Sequence, residues 1–149
     1  VRIEKATDFE ISMNPVTEER DYIADEHPTT ELMDYKPSAE LAITTYEGNP
    51  DFDMMYKLYQ KNALGADAQK DLLIVHIFNS KCVTEEDTEK KYYYAEKASA
   101  TLVLNSWNTS GATLSATANI NGTIKNGYVT LGTNGEPIFT EGDFDSLGE

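Results

Sequence analysis

Little in this chain points to chemistry. It has one cysteine, Cys82, so no internal disulfide can form, and no neighbouring residue marks that thiol as an activated nucleophile. Its only histidines are His27, in an acidic stretch, and His76, inside an apolar run. A lone histidine in such a run reads as a hydrogen-bonded core residue rather than a catalytic base. No CxxC pair, HExxH, GxSxG or phosphate-cradling glycine loop occurs. The carboxylate-rich stretches DFDSLGE and TEEDTE lack the alternating oxygen ligands and central glycine of a calcium loop, so they read as solvated acids. The sequence therefore predicts no enzyme activity, no metal and no cofactor.

Positive charge is scarce as well. Twelve basic residues stand against 26 acidic ones, a net charge of -14 that leaves little with which to hold phosphates. No apolar run approaches the length of a membrane span, and no signal peptide is visible, so no membrane partner is expected. The acceptor triplets Asn108-Thr109-Ser110 and Asn121-Gly122-Thr123 carry little weight without such a signal. The chain begins at Val1 rather than Met, as a fragment or processed form would.

What is present is a globular composition. Forty per cent hydrophobic residues and 15 aromatics exclude wholesale disorder, and 149 residues suit one domain spanning 1–149. Charge is uneven along it. Val1 to Asp53 carries 14 acidic and 4 basic residues, a balance of -10, whereas Lys125 is the only charged residue from Ala98 to Gly135.

Most of the periodicity is that of strands. VRIEKATDFEISM places Phe9, Ile11 and Met13 at alternate positions, and ELAITTYE reads as a second strand. DLLIVHIFNS is apolar from Leu72 to Phe78 except for His76, which predicts a central strand covered on both faces. KYYYAEKASATLVLN is a long strand whose alternation Glu96 interrupts. GATLSATANIN alternates cleanly, with Leu114, Ala116, Ala118 and Ile120 on one face. Asn121-Gly122 and Asn126-Gly127 carry hairpin-turn signals, and EPIFT closes the series after Asn134-Gly135.

One helix is expected, over about 50–64. Asn49 suits the N-cap, Pro50 the first helical position and Gly65 the end. Phe52, Met55, Tyr56, Tyr59 and Ala63 form a stripe that reads as packing over the open end or face of a barrel, rather than as a ligand groove. The fold class is mainly β: a β-sandwich or barrel with one flanking α-helix.

The remaining long segment, NPVTEERDYIADEHPTTELMDYKPS (14–38), has three prolines, seven acidic residues and no evident periodicity. Compact domains seldom keep an irregular loop of this length without a use for it. Its block ERDYIADEHPTTELMDYKPS and, further on, GNPDFDMMYKLY, followed by ATANINGTIKNGYVTL, resemble the major tail tube protein of long-tailed bacteriophages and prophages. The resemblance runs over nearly the whole chain but rests on no invariant chemical signature.

The resemblance implies a β-barrel or sandwich with a flanking helix, also seen in the tube protein of type VI secretion systems. It implies a subunit of the virion tail, made in the host cytoplasm. Copies would form rings, usually sixfold, stacked into a hollow conduit for the viral genome, capped or filled by other tail proteins such as a tape measure, tail tip or terminator. DNA would pass without specific binding, along a lumen of negative or neutral potential. Within this reading the acidic loop becomes an inter-ring arm: Glu18, Arg20, Asp21, Tyr22, Ile23, Asp25, Glu26, Leu32, Met33, Tyr35 and Lys36, mobile in the free subunit. Its apolar members would anchor on a neighbour, and Arg20 and Lys36 would find partners across the contact. Neighbours within a ring would pair edge strands, since the neutral later strands carry few charges to block pairing. The alternative is a β-sandwich module binding carbohydrate or protein through Tyr92, Tyr93, Tyr94 and Trp107. A hydrolase using His76 is a third, more remote reading.

Overall fold

The computed structural model describes residues 2–4, 6–23, 26–85, 88–132 and 134–148. It is mainly β, with one α-helix. The strands are β1 (Ala6–Ser12), β2 (Pro15–Arg20), β3 (Thr29–Tyr35), β4 (Ser38–Thr44), β5 (Gln69–Glu85), β6 (Thr88–Asn108), β7 (Thr113–Leu131) and β8 (Pro137–Glu141). The helix, α1, is Pro50–Gln60, and a 3-10 turn follows at Gly65–Ala68. Six strands share a sheet in the order β1-β4-β7-β6-β5, with β8 on β7; β2 and β3 form a separate two-stranded sheet. The sequence reads as a single domain, whereas the chain's contacts gather into two compact units. One is Val1–Lys70 with Ala100–Ile120, the other Asp71–Ser99 with Asn121–Glu149, so that β6 and β7 contribute to both.

The core of the first unit follows from strand alternation. Antiparallel pairing sets Ala39 opposite Ala118, Leu41 opposite Ala116 and Ile43 opposite Leu114. All six are buried, because one register puts the apolar positions of both strands on the same face. The small side chain of Ala116 leaves room above the sheet, which Met55 of α1 uses. Ile3, Phe52, Met54 and Leu104 close around that cluster.

The helix begins where the sequence predicts, by a different device. Asn49 makes no side-chain cap bond, and its Nδ2 is sealed without a partner among the described residues. Asp51 serves instead: Oδ1 accepts the N–H of Phe52 at 2.8 Å and Oδ2 that of Glu4 at 3.2 Å. A carboxylate only 1% exposed needs such donors, and here they tie the N-terminal segment to the helix start. The helix also stops earlier than expected. Asn62 adopts φ +48°, a left-handed conformation that asparagine tolerates, and breaks the helix before Ala63 and Gly65.

In the second unit Tyr92, Ala95, Ala98, Val129 and Phe144 are buried. Tyr92 meets Tyr128 edge-on at 5.4 Å, and Phe144 meets Tyr94 at 5.9 Å. Gly127 lets β8 approach β7, since a Cβ there would collide with the Thr140 carbonyl and the Phe139 ring.

Four expectations are corrected. The two Asn-Gly signals at 121–122 and 126–127 do not turn the chain: β7 runs through both, held by β6 along one side. Gly122 absorbs φ +66° inside the strand, and Gly127 is needed for close packing instead. β5 is not a doubly covered central strand but ends the sheet order, with Ile77 and Phe78 exposed at 77% and 84%. The later strands β6 and β7 are interior to the sheet, and among the described residues its edges are β1, β5 and the short β8. Finally, most of the stretch 14–38 is regular: β2 and β3 form an antiparallel ribbon.

Candidate functional site

The ribbon is the least explained part of the first unit, and its geometry comes from a short set of interactions. Asn14 turns the chain with φ +45°, and its Nδ2 donates to the Lys36 carbonyl at 3.1 Å and to Ser38 Oγ at 3.0 Å. The Lys36 N–H faces the carbonyls of Met13 and Asn14, both at 3.2 Å. The base is thereby closed. Above it Pro15 pairs with Tyr35 and Arg20 with Thr29, and a register shift after Val16 places Thr17 opposite Leu32 and Glu18 opposite Glu31. Carboxylates directly opposite each other repel. Arg20 relieves this pair, with Nη2 at 3.3 Å from Glu18 and Nε at 3.3 Å from Glu31. Within the single chain its partners lie in its own ribbon. These ions are well solvated, so the clamp sets geometry more than stability.

Of the arm residues read from the sequence, the ribbon gathers Glu18, Arg20, Leu32, Met33 and Tyr35 on its strands. Asp21, Tyr22, Ile23 and Glu26 lie in the connection beyond β2, and Lys36 at the base; Asp25 lies outside the described residues. Tyr22, Leu32, Met33 and Tyr35 are about half exposed, and Ile23 is fully exposed. No third strand pairs with the ribbon among the described residues. A free two-stranded ribbon with this much bare apolar surface is unusual for a monomer.

Sequence reasoning missed a second surface in the same unit. A cleft of about 630 Å³ opens between the C-terminal half of α1, the 3-10 turn and β6, lined among others by Leu58, Tyr59, Leu64, Ala68, Leu102 and Val103. Leu64 is 76% exposed there. Its only signal was the apolar pair Ala63-Leu64, beyond the real end of the helix. Beside it, Tyr56 packs against Phe52, Tyr59 and Trp107 with ring centroids 5.4–6.1 Å apart. The aromatic stripe on α1 is thus satisfied largely by Trp107, although Tyr59 remains half exposed.

The one cluster resembling chemistry is in the second unit. His76 Nε2 stands 3.7 Å from Glu96, whose other carboxylate oxygen accepts the Tyr94 hydroxyl at 3.1 Å. His76 packs against the rings of Phe78 and Tyr94. Contrary to the expected hydrogen-bonded core histidine, its Nε2 has no hydrogen-bond partner among the described residues. Burial first, and then the Glu96 carboxylate, push the Tyr94 phenol above the ordinary tyrosine range. Because the folded protein holds that proton more tightly, its contribution to stability is full below about pH 10 and is lost as pH rises further. Absorbance titration should show the Tyr94 phenol ionising late, and Glu96→Gln should bring it partway back. Titration unchanged by that substitution would mean that Glu96 does not act on Tyr94.

The three tyrosines of the alternative binding module do not form one exposed surface. Tyr92 is buried, Tyr94 is engaged with His76 and Phe144, and Tyr93 lies under the Lys91 ammonium at 5.3 Å. Cys82 is exposed and free. The described residues hold no group of three or more His, Cys, Asp or Glu side chains able to bind a metal, and no helix among them is long and apolar enough to cross a membrane. A scan against protein-family models and a search of curated proteins both return no match.

Proposed function

We propose that this chain is a structural subunit of a phage tail tube, a non-enzymatic block that self-assembles into rings stacked around a conduit for viral DNA. The observation that carries the reading is the β2–β3 ribbon. It is closed by hydrogen bonds at its base, clamped toward its outer end by Arg20, and leaves Ile23 fully exposed and Tyr22, Leu32, Met33 and Tyr35 about half exposed. Such an element gains its stabilisation from a second chain. In a stacked tube it is the arm that joins one ring to the next.

Lateral closure has its own support. Among the described residues β1, β5 and β8 each have a strand neighbour on one side only. β5 is long, uncharged from Leu72 to Ser80 apart from His76, and presents Ile77 and Phe78. An edge of that kind is a template for pairing with another chain unless charge or proline blocks it. A ring closed by edge pairing, together with a stacking contact that never closes, gives an open tube. The net charge of -14 fits a virion-tail conduit that lets DNA slide, provided the lumen is negative or neutral.

Electron microscopy and sedimentation of concentrated protein test the proposal. Rings or short tubes are expected, and more of them as salt rises, because screening weakens repulsion among acidic subunits. Persistent monomers at millimolar concentration in every salt would overturn it. The exposed faces of Tyr59 and Trp107 favour a carbohydrate-binding module as the second reading. Dispersed monomers that shift the Trp107 fluorescence on adding oligosaccharide would support that instead.

A further inference from the structure

We infer that Asn134 is a site of spontaneous deamidation, selected by the fold over the two other Asn-Gly pairs of the chain. The inference is independent of the tail-tube reading.

The reaction needs no enzyme. The main-chain nitrogen of the residue after an asparagine attacks the side-chain Cγ and gives up its proton. The Cγ–Nδ2 bond breaks, ammonia leaves, and a cyclic imide remains. Water then opens the imide at either carbonyl, giving aspartate or isoaspartate with no change in oxidation state. Glycine in the second position favours the attack, since it has no Cβ in the way and lets the backbone rotate. The chain carries three such pairs, at 121–122, 126–127 and 134–135.

Ring closure requires the asparagine to leave the extended conformation, which a paired strand resists. Asn121 and Asn126 both lie within β7. Ile120, just before the first pair, donates its N–H to the Pro37 carbonyl at 3.1 Å. The Asn126 carbonyl accepts the Gly142 N–H at 3.3 Å, and Gly127 pairs with Glu141 of β8. The Thr140 carbonyl and the Phe139 ring crowd Gly127, so this pair is the more confined of the two. Gly122 has open surroundings, and there the strand alone protects.

Asn134 stands outside the strands, in the connection between β7 and β8. Asn134, Gly135 and Glu136 are exposed, and Gly135 adopts φ +75° with open space where a Cβ would stand. The Gly135 nitrogen, which must attack, donates to the Gly132 carbonyl at 2.8 Å. Releasing that bond is a local opening of an exposed turn and unpairs no strand. Isoaspartate would add a main-chain atom within the loop that the Gly132 N–H closes on the Glu136 carbonyl at 2.8 Å, next to the Leu131–Pro137 pair.

Peptide mapping by mass spectrometry tests this on the full chain, held in mildly alkaline buffer. Conversion at Asn134 is expected to outpace that at Asn121 and Asn126 by about tenfold or more, because ladder hydrogen bonds must open at the other two. In urea, where the strands are lost, the three sites should convert at comparable rates. Asn134→Gln should remove the leading product and leave melting unchanged, since closure through the longer side chain is slow. Converted protein should exchange its β8 amide hydrogens faster than fresh protein. Conversion led by Asn121 or Asn126, or equal rates at all three sites in the folded chain, would overturn the inference. So would an Asn134 that stays intact in the folded chain while it converts in urea.

Discussion

Replacing Asp21–Thr30 by a short Gly-Ser linker is expected to leave a folded protein that no longer stacks. The replaced residues include the outer end of the ribbon and its fully exposed Ile23, and none of the described ones belongs to the buried core of either unit. The hydrogen bonds of Asn14 and Lys36 at the base remain, so the ends of the linker stay correctly placed. A two-stranded ribbon contributes little to stability by itself, and circular dichroism and the melting curve should move only slightly. Tube length is where the effect should appear, falling from extended tubes to single rings or monomers. A variant that still polymerises like its parent would show that the ribbon does not join subunits.

The largest loss of stability is expected at Ile43. Its side chain is completely buried among Leu41, Met55, Leu114 and Ala116, and Ile43→Ala opens a cavity that sheet and helix cannot both close. The cost should be about 2–5 kcal/mol. In a protein of this size each kcal/mol lowers Tm by about 2–4 °C, so thermal unfolding reads the effect directly. The control is Ile77→Ala on β5, where the same truncation at a 77% exposed position should cost within about 0.5 kcal/mol in the free subunit. Equal costs at the two sites would contradict the burial described for β4 and β5. If Ile77 is instead covered in a ring, its truncation should weaken assembly while leaving the monomer's melting unchanged.

The sites where the sequence reads correctly share one property: they have one buried face and one open face. β4 and the first part of β7 repeat apolar and polar residues with period two because a helix covers one side only. The ribbon has no buried face, so no alternation is written into PVTEER or TTELMDY, and its strands pass for an irregular loop. The apolar residues there are legible as an anomaly; their arrangement on a clamped antiparallel ladder is not. β5 fails the other way. A continuous apolar run from Leu72 to Val75 reads as covered on both faces, yet strand order alone decides whether a neighbour arrives. The Asn-Gly pairs of β7 fail because turn propensity is worth less than the hydrogen bonds of a strand already held by β6. The cleft could not be read at all, since Leu64 and Val103 meet only through the path of the chain.

By itself, then, the sequence determined a mainly β protein with one helix starting at Pro50, strands at β4 and the first part of β7, and a strong acidic bias concentrated in the first third of the chain. Those are local matters: period, capping residue and charge count act over a few residues and need no partner. The tertiary structure decided which strands end the sheet, that the acidic segment is a ribbon, and that a cleft lies between α1, the 3-10 turn and β6. Each depends on residues far apart in sequence being brought together. The energy of such contacts is set by what lies opposite, and no single stretch of the chain encodes that.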